Sequence, residues 1–144
     1  MKKVGIFGSE YQADKQLVIK RLFEKLASLE AEVFVDRDFY LFLTDALNYE
    51  PPVSGILTSD EFDLDVALSL GGDGTFLRTA ARVNKQDIPI LGINTGRLGF
   101  LADVASNDIE DTLDELLKTT IRRKNVLYCA FIRKTGCFTV IIMP

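Results

Sequence analysis

Five consecutive residues, Gly71-Gly72-Asp73-Gly74-Thr75, put a carboxylate inside a glycine-rich turn. The apolar run Val66 to Leu70 precedes them and reads as a buried strand. Phe76 to Val83 follows and reads as a helix, with Phe76, Leu77, Ala80 and Ala81 on its apolar side. Paired glycines permit positive φ and close approach of the backbone to a ligand. The helix start offers unpaired N–H groups and partial positive charge to an anion. Thr75 adds a hydroxyl donor, and Arg78, about one turn in, adds a fixed positive charge. Such a turn can cradle nucleotide phosphates without a Walker lysine. Asp73 is the odd member, because a carboxylate repels phosphates. It makes sense if it holds Mg²⁺ or takes a proton from an attacking hydroxyl. Phosphoryl transfer asks for that combination, since its catalysis is mostly positioning and charge stabilisation. The plainer alternative is that Asp73 or Thr75 only caps the helix and the glycines only turn the chain.

A second glycine-bearing loop follows the next strand: Asn94-Thr95-Gly96-Arg97-Leu98-Gly99-Phe100-Leu101. Asn94 and Thr95 offer hydrogen-bonding side chains, Gly96 and Gly99 a flexible turn, and Leu98, Phe100 and Leu101 an apolar wall. Its plainer alternative is an ordinary βα connection.

The elements that must position these loops alternate along the chain. Strands are expected at Val4 to Phe7, Glu32 to Val35, Val66 to Leu70 and Pro89 to Ile93. Asp14 to Leu29 carries Leu17, Ile19, Leu22, Phe23, Leu26 and Leu29 near helical spacing, with charges on the other face. Phe39 to Leu47 and Ile109 to Leu117 read as helices. Tyr49 to Asp60 holds Pro51, Pro52 and Gly55 and reads as a loop. Val126 to Ile132 and Phe138 to Met143 read as further strands. The expected fold class is α/β: a Rossmann-like, mainly parallel sheet with helices on both faces. In such sheets ligands sit at the carboxyl ends of strands. Both loops fall there, so they could line one crevice.

Composition narrows the chemistry. The chain has 144 residues, 47% hydrophobic and 26% charged, which fits one globular domain. A net charge of -4 lacks the basic footprint of a nucleic-acid binder. No apolar run reaches the roughly 18 residues of a membrane span, and the N-terminus does not read as a signal peptide. A cytoplasmic protein is expected. There is no histidine, so acid–base work falls to Asp, Glu, Lys or Tyr. Cys129 and Cys137 match no zinc or redox spacing, and no metal-ligating residue set is assigned.

Together the two loops resemble those of NAD kinases. Gly71 to Arg78 resembles that family's GGDGTFLR segment, and Leu91 to Asp103 its LGINTGRLGFLAD segment. The first is shared more loosely with diacylglycerol, sphingosine and 6-phosphofructo-kinases; the second is far more specific. The resemblance covers roughly residues 1 to 120. It implies transfer of the γ-phosphoryl of ATP, or of polyphosphate in some members, to the adenosine ribose 2′-hydroxyl of NAD, assisted by Mg²⁺ or another divalent cation. It implies Asp73 as general base, also touching the ribose. Gly72, Gly74 and Thr75 would contact phosphate or nucleotide, Phe76 would pack near the NAD, and Arg78 would sit in the nucleotide site. Asn94, Thr95 and Gly96 would shape the neighbouring wall.

The rest of the chain departs from the family pattern. NAD kinases continue into a β-rich domain bearing an Asn-Glu or Asn-Asp pair. Here Asn107-Asp108 precedes a helix at the wrong place in the pattern. Residues 121 to 144 form an atypical tail: after Glu115 no acidic residue follows, while Lys118, Arg122, Arg123, Lys124, Arg133 and Lys134 do. The apolar end, Phe138 to Pro144, reads as a truncated or frame-shifted product and suggests a homo-oligomer; the alternative is a genuine short chain whose final strands close its own sheet. On this reading the β-rich domain is absent and the chain alone phosphorylates NAD poorly or not at all. Two other readings remain: a non-catalytic nucleotide-binding or interaction module, and a lipid or sugar kinase sharing only the first loop.

Overall fold

The computed structural model describes residues 2–10, 16–83, 86, 88–94, 104–105, 109–118 and 140–141. Among the described residues the elements run in order: β1 (Lys3–Gly8), α1 (Gln16–Ser28), β2 (Glu32–Asp36), α2 (Arg37–Asp45), β3 (Gly55–Leu57), β4 (Val66–Gly71), α3 (Asp73–Val83), β5 (Ile90–Asn94), β6 (Val104–Ala105), α4 (Ile109–Lys118) and β7 (Val140–Ile141). They build one sheet in the order β3-β2-β1-β4-β5-β6, in which every neighbouring pair is parallel. β7 pairs antiparallel with the start of β5, and β6 pairs with its end.

The apolar strands explain this arrangement. β4 is buried along its whole length, which suits the centre of a sheet covered on both sides. Side chains alternate across the pleat. Val4 and Ile6 of β1 join Val66, Leu68 and Leu70 of β4 in a core beneath α1, α2 and Leu113 of α4. Phe7 and Ala67 point the other way, into a second core with Phe76, Ala80 and Val83 of α3. The α/β architecture expected from the alternating pattern is therefore present, with helices on both faces.

Helix placement also fixes where a ligand can bind. From β1 the chain moves outward through β2 to β3, and α1 and α2 cover one face. It then returns to the far side of β1 and moves the opposite way through β4 and β5. A right-handed crossover in the opposite direction sends α3 to the other face. The direction reverses between β1 and β4, which is the switch point where open α/β sheets form a crevice.

Three elements differ from expectation. The stretch Tyr49 to Asp60 contains β3, whose Phe34-to-Gly55 pairing adds a strand to the edge. The prolines hid it because they flank the strand and do not enter it. β6 was not expected at all. Helix α3 begins at Asp73, three residues before the apolar stretch, because its first turn is made of the turn residues themselves. Residues 126 to 132 lie outside the described set, as do most of 138 to 144.

Candidate functional site

The loop after β4 is built by Gly71 and Thr75. Gly71 has φ +152°, in the region that favours glycine, and a Cβ there would come within 2.6 Å of Thr75 Oγ1. Thr75 is buried and folds back over the strand end. Its Oγ1 accepts from Arg78 Nη2 at 3.2 Å, and its carbonyl accepts from the Thr79 hydroxyl at 2.9 Å. Thr79 in turn lies 3.3 Å from the Ser69 hydroxyl. These contacts tie the first turn of α3 to β4, so Gly71 and Thr75 have a structural reason.

Steric crowding does not explain Gly72 and Gly74 as it does Gly71. The first helical bond runs from Phe76 N–H to Gly72 O at 3.1 Å, so the capping position belongs to Gly72, which has no side chain. Asp73 is one residue inside the helix and half-buried. A Cβ on Gly72 would meet nothing within 4 Å, and one on Gly74 would meet only Arg78 Nη1 at 3.6 Å, an ordinary contact. Glycine inside a helix costs about 1 kcal/mol relative to alanine. Packing does not require glycine at either position.

A crevice of about 360 Å³ opens beside this turn, over the carboxyl ends of β1 and β2. Thr75 and Arg78 line it, together with Glu10, Asp36, Asp38 and Arg82. Arg78 and Arg82 are one turn apart and share a face of α3. Their environments differ. Arg82 pairs with Asp36, donates from Nε to Asp60 Oδ1 at 2.9 Å, and lies over the rings of Phe7 at 5.1 Å and Phe62 at 5.5 Å. Burial alone would lower its pKa, but the hydrogen bonds and charges of Asp36 and Asp60 outweigh burial and hold it above the ordinary value. Arg78 is exposed and, among the described residues, hydrogen-bonds to the Thr75 hydroxyl.

The residues singled out in the sequence are thus partly gathered. Gly72, Asp73, Gly74, Thr75 and Arg78 form one turn, and Asn94 ends β5 directly beside it, paired with Gly71. Phe76 is fully buried in the second core, where it packs under the sheet. Thr95 and Gly96 lie outside the described residues. Sequence reasoning missed Glu10, Asp36, Asp38 and Arg82. The signal for two of them was available: Asp36-Arg37-Asp38 follows directly on a strand expected to be parallel, at the end where ligands bind. Among the described residues, no helix is long and apolar enough to cross a membrane.

Comparison with known proteins gives the family. The chain is 44% identical over 127 residues to the NAD kinase of Bacteroides fragilis, covering 87% of this chain and 44% of that protein. It is 39% identical over 117 residues to the NAD kinase of Porphyromonas gingivalis, covering 81% of this chain and 41% of that protein. It is 39% identical over 118 residues to the NAD kinase of Christiangramia forsetii, covering 81% and 40%. The chain thus spans less than half the length of these relatives. The family described as ATP-NAD kinase N-terminal domain matches residues 20–121, most of the chain and the whole Gly71–Thr75 turn. The chain belongs to the ATP-NAD kinase N-terminal domain family.

Proposed function

We infer that this chain is the phosphoryl-transfer part of an NAD kinase, moving the γ-phosphoryl of ATP to the adenosine ribose 2′-hydroxyl of NAD to give NADP. The observation that carries the reading is the open space at Gly72 and the uncrowded position of Gly74. Two glycines that packing does not require, on either side of a carboxylate at a helix start, leave the backbone accessible to phosphates. Asp73 would take the proton from the attacking hydroxyl. The N–H groups of the first turn of α3, with Arg78, would hold the phosphoryl group as its charge spreads. Asn94, Thr95 and Gly96 would form the wall on the acceptor's side. Phe76 would act from beneath, holding the turn, rather than by touching ligand.

A divalent cation fits as an ion carried in on substrate. Mg²⁺ is commonly held by one or two carboxylates plus substrate phosphates, and Asp73 supplies one carboxylate. Among the described residues, no group of three His, Cys, Asp or Glu side chains could hold a metal by itself. When bound, the ion would neutralise phosphate charge. The same reading puts the work in the cytoplasm and expects self-association.

The test is NADP formation from NAD, ATP and Mg²⁺ by the purified 144-residue chain, beside calorimetric titration of each ligand. The chain spans under half the length of the NAD kinases it matches, so the measured turnover is that of this segment alone. Asp73→Asn should lower whatever turnover exists by at least about 10²-fold while ligand binding persists. Ligand binding without turnover in either protein would instead identify a nucleotide-binding module.

A further inference from the structure

Among the described residues the buried polar side chains are Ser69, Thr75 and Thr79, and they meet where β4 passes into α3. Their surroundings are apolar: Ala67 precedes Ser69 on the same side of β4, and Phe76, Ala80 and Val83 flank the threonines on α3. Thr79 has one hydroxyl proton and two oxygens in reach, the Thr75 carbonyl at 2.9 Å and Ser69 Oγ at 3.3 Å. A carbonyl only accepts, so that proton goes to Thr75, and the Ser69 hydroxyl donates to Thr79 Oγ1. Two hydrogen bonds in series thus join strand to helix. A threonine bonded to the carbonyl four residues back is ordinary in helices and alone would carry nothing. The added member is Ser69, ten residues earlier and on another element.

Stability does not ask for these hydroxyls. Replacing both partners of a buried hydrogen bond by apolar groups of the same shape is nearly neutral or stabilising. What the pair fixes is one peptide unit. The Thr75 carbonyl accepts from Thr79, and the N–H of the same unit, on Phe76, donates to the Gly72 carbonyl at 3.1 Å. The stretch from Gly72 to Thr75 holds two glycines that their surroundings do not crowd. Glycine leaves a backbone soft, so a turn of this composition does not hold one geometry by itself. A misplacement of about 1 Å at a reacting group can cost roughly 10²-fold in rate.

We propose that Ser69 and Thr79 are a positioning pair for phosphoryl transfer: their hydroxyls hold the Thr75–Phe76 peptide, and through it the turn that carries Asp73, in one geometry. This rests on the kinase reading above and adds two residues that act through the turn.

The experiment compares the full chain with three variants. Ser69→Ala/Thr79→Val removes both hydroxyls and changes shape little. Thr79→Ser keeps both hydrogen bonds and loses a methyl group. Ser69→Ala leaves Thr79 its carbonyl acceptor and orphans no donor. Urea melts, kcat and KM for NADP formation from NAD, ATP and Mg²⁺, and amide hydrogen exchange by NMR are measured on each. The double variant should keep its urea midpoint, lose at least about tenfold in kcat and hold KM within about twofold, the pattern of lost positioning. Ser69→Ala should lose kcat in the same direction, and it replaces the double variant should that one fail to fold. Thr79→Ser should have the lower urea midpoint yet retain most of the turnover. A structural role alone predicts the opposite order, with turnover following stability, and that order overturns the proposal. So does an unchanged kcat in the double variant. So does a raised KM at unchanged kcat, which would put the Thr79 hydroxyl on ligand in the crevice it lines. The exchange measurement separates this proposal from the kinase reading. The Phe76 amide should exchange at least about tenfold faster in the double variant, and near the wild-type rate in Thr79→Ser, because only the first frees the turn to open. If that holds while the wild type forms no NADP, the positioning of the turn stands and the kinase reading falls. Unchanged Phe76 exchange in the double variant overturns the proposal whatever the turnover.

Discussion

At the residue scale, the three glycines of the turn differ in how tightly their surroundings hold them. Gly71 is held by its φ of +152° and by Thr75 Oγ1, so Gly71→Ala should destabilise the fold by at least about 2 kcal/mol. Gly74→Ala should do the reverse. It replaces a helical glycine whose added methyl would make only an ordinary contact with Arg78 Nη1, and should stabilise by up to about 1 kcal/mol. It should nonetheless weaken nucleotide binding, because a methyl group would stand where phosphate approaches. Urea melts give the stability of both variants and titration gives the binding. A Gly74→Ala protein that binds nucleotide as the wild type does would show that the site does not use this approach.

At the element scale, Arg82 joins parts of the fold that local sequence does not link. It connects α3 to the end of β2 through Asp36 and to the segment before β4 through Asp60, 46 and 22 residues away. Replacing it by methionine keeps much of the apolar stem against Phe7 and Phe62 but leaves both carboxylates without their partner. Arg82→Met should therefore cost about 1–2 kcal/mol, read as a lower urea midpoint at unchanged slope. By contrast, the pairs Arg21–Glu110 and Lys25–Asp114 between α1 and α4 are partly exposed, and each contributes under about 1 kcal/mol. The element that holds the crevice wall thus depends on a partly buried, multiply bonded arginine more than on surface ion pairs.

At the scale of the whole molecule, the alkaline limit of stability is open to test. Burial against the helices, and secondarily the charge of Glu24, raises the Tyr49 phenol above its ordinary 10.0. The Lys3 ammonium is also raised, by its hydrogen bond to Asp63 and by that carboxylate's charge. For both groups the folded state holds the proton more tightly than the unfolded chain does. Their contributions are complete below pH 10 and fade as pH rises through the raised values. Melting temperature should fall above about pH 10, and Tyr49→Phe should flatten that decline. An unaltered slope in Tyr49→Phe would remove Tyr49 from the account. Taken alone, the sequence determined the layer architecture, because continuous apolar runs at 4–7, 66–70 and 89–93 can only be buried strands when amphipathic helices alternate with them. It also marked the glycine-rich turn as the candidate site, because that turn is contiguous in the chain. The first turn of α3 was illegible, since its residues are poor helix formers and only tethering to β4 makes them helical. The crevice was illegible for a different reason. Asp38 and Arg78 are forty residues apart, and only the strand order β2-β1-β4 brings them to one opening. Strand order is set by how two cores close on opposite faces of the sheet, a property of the assembled chain and of no single segment in it.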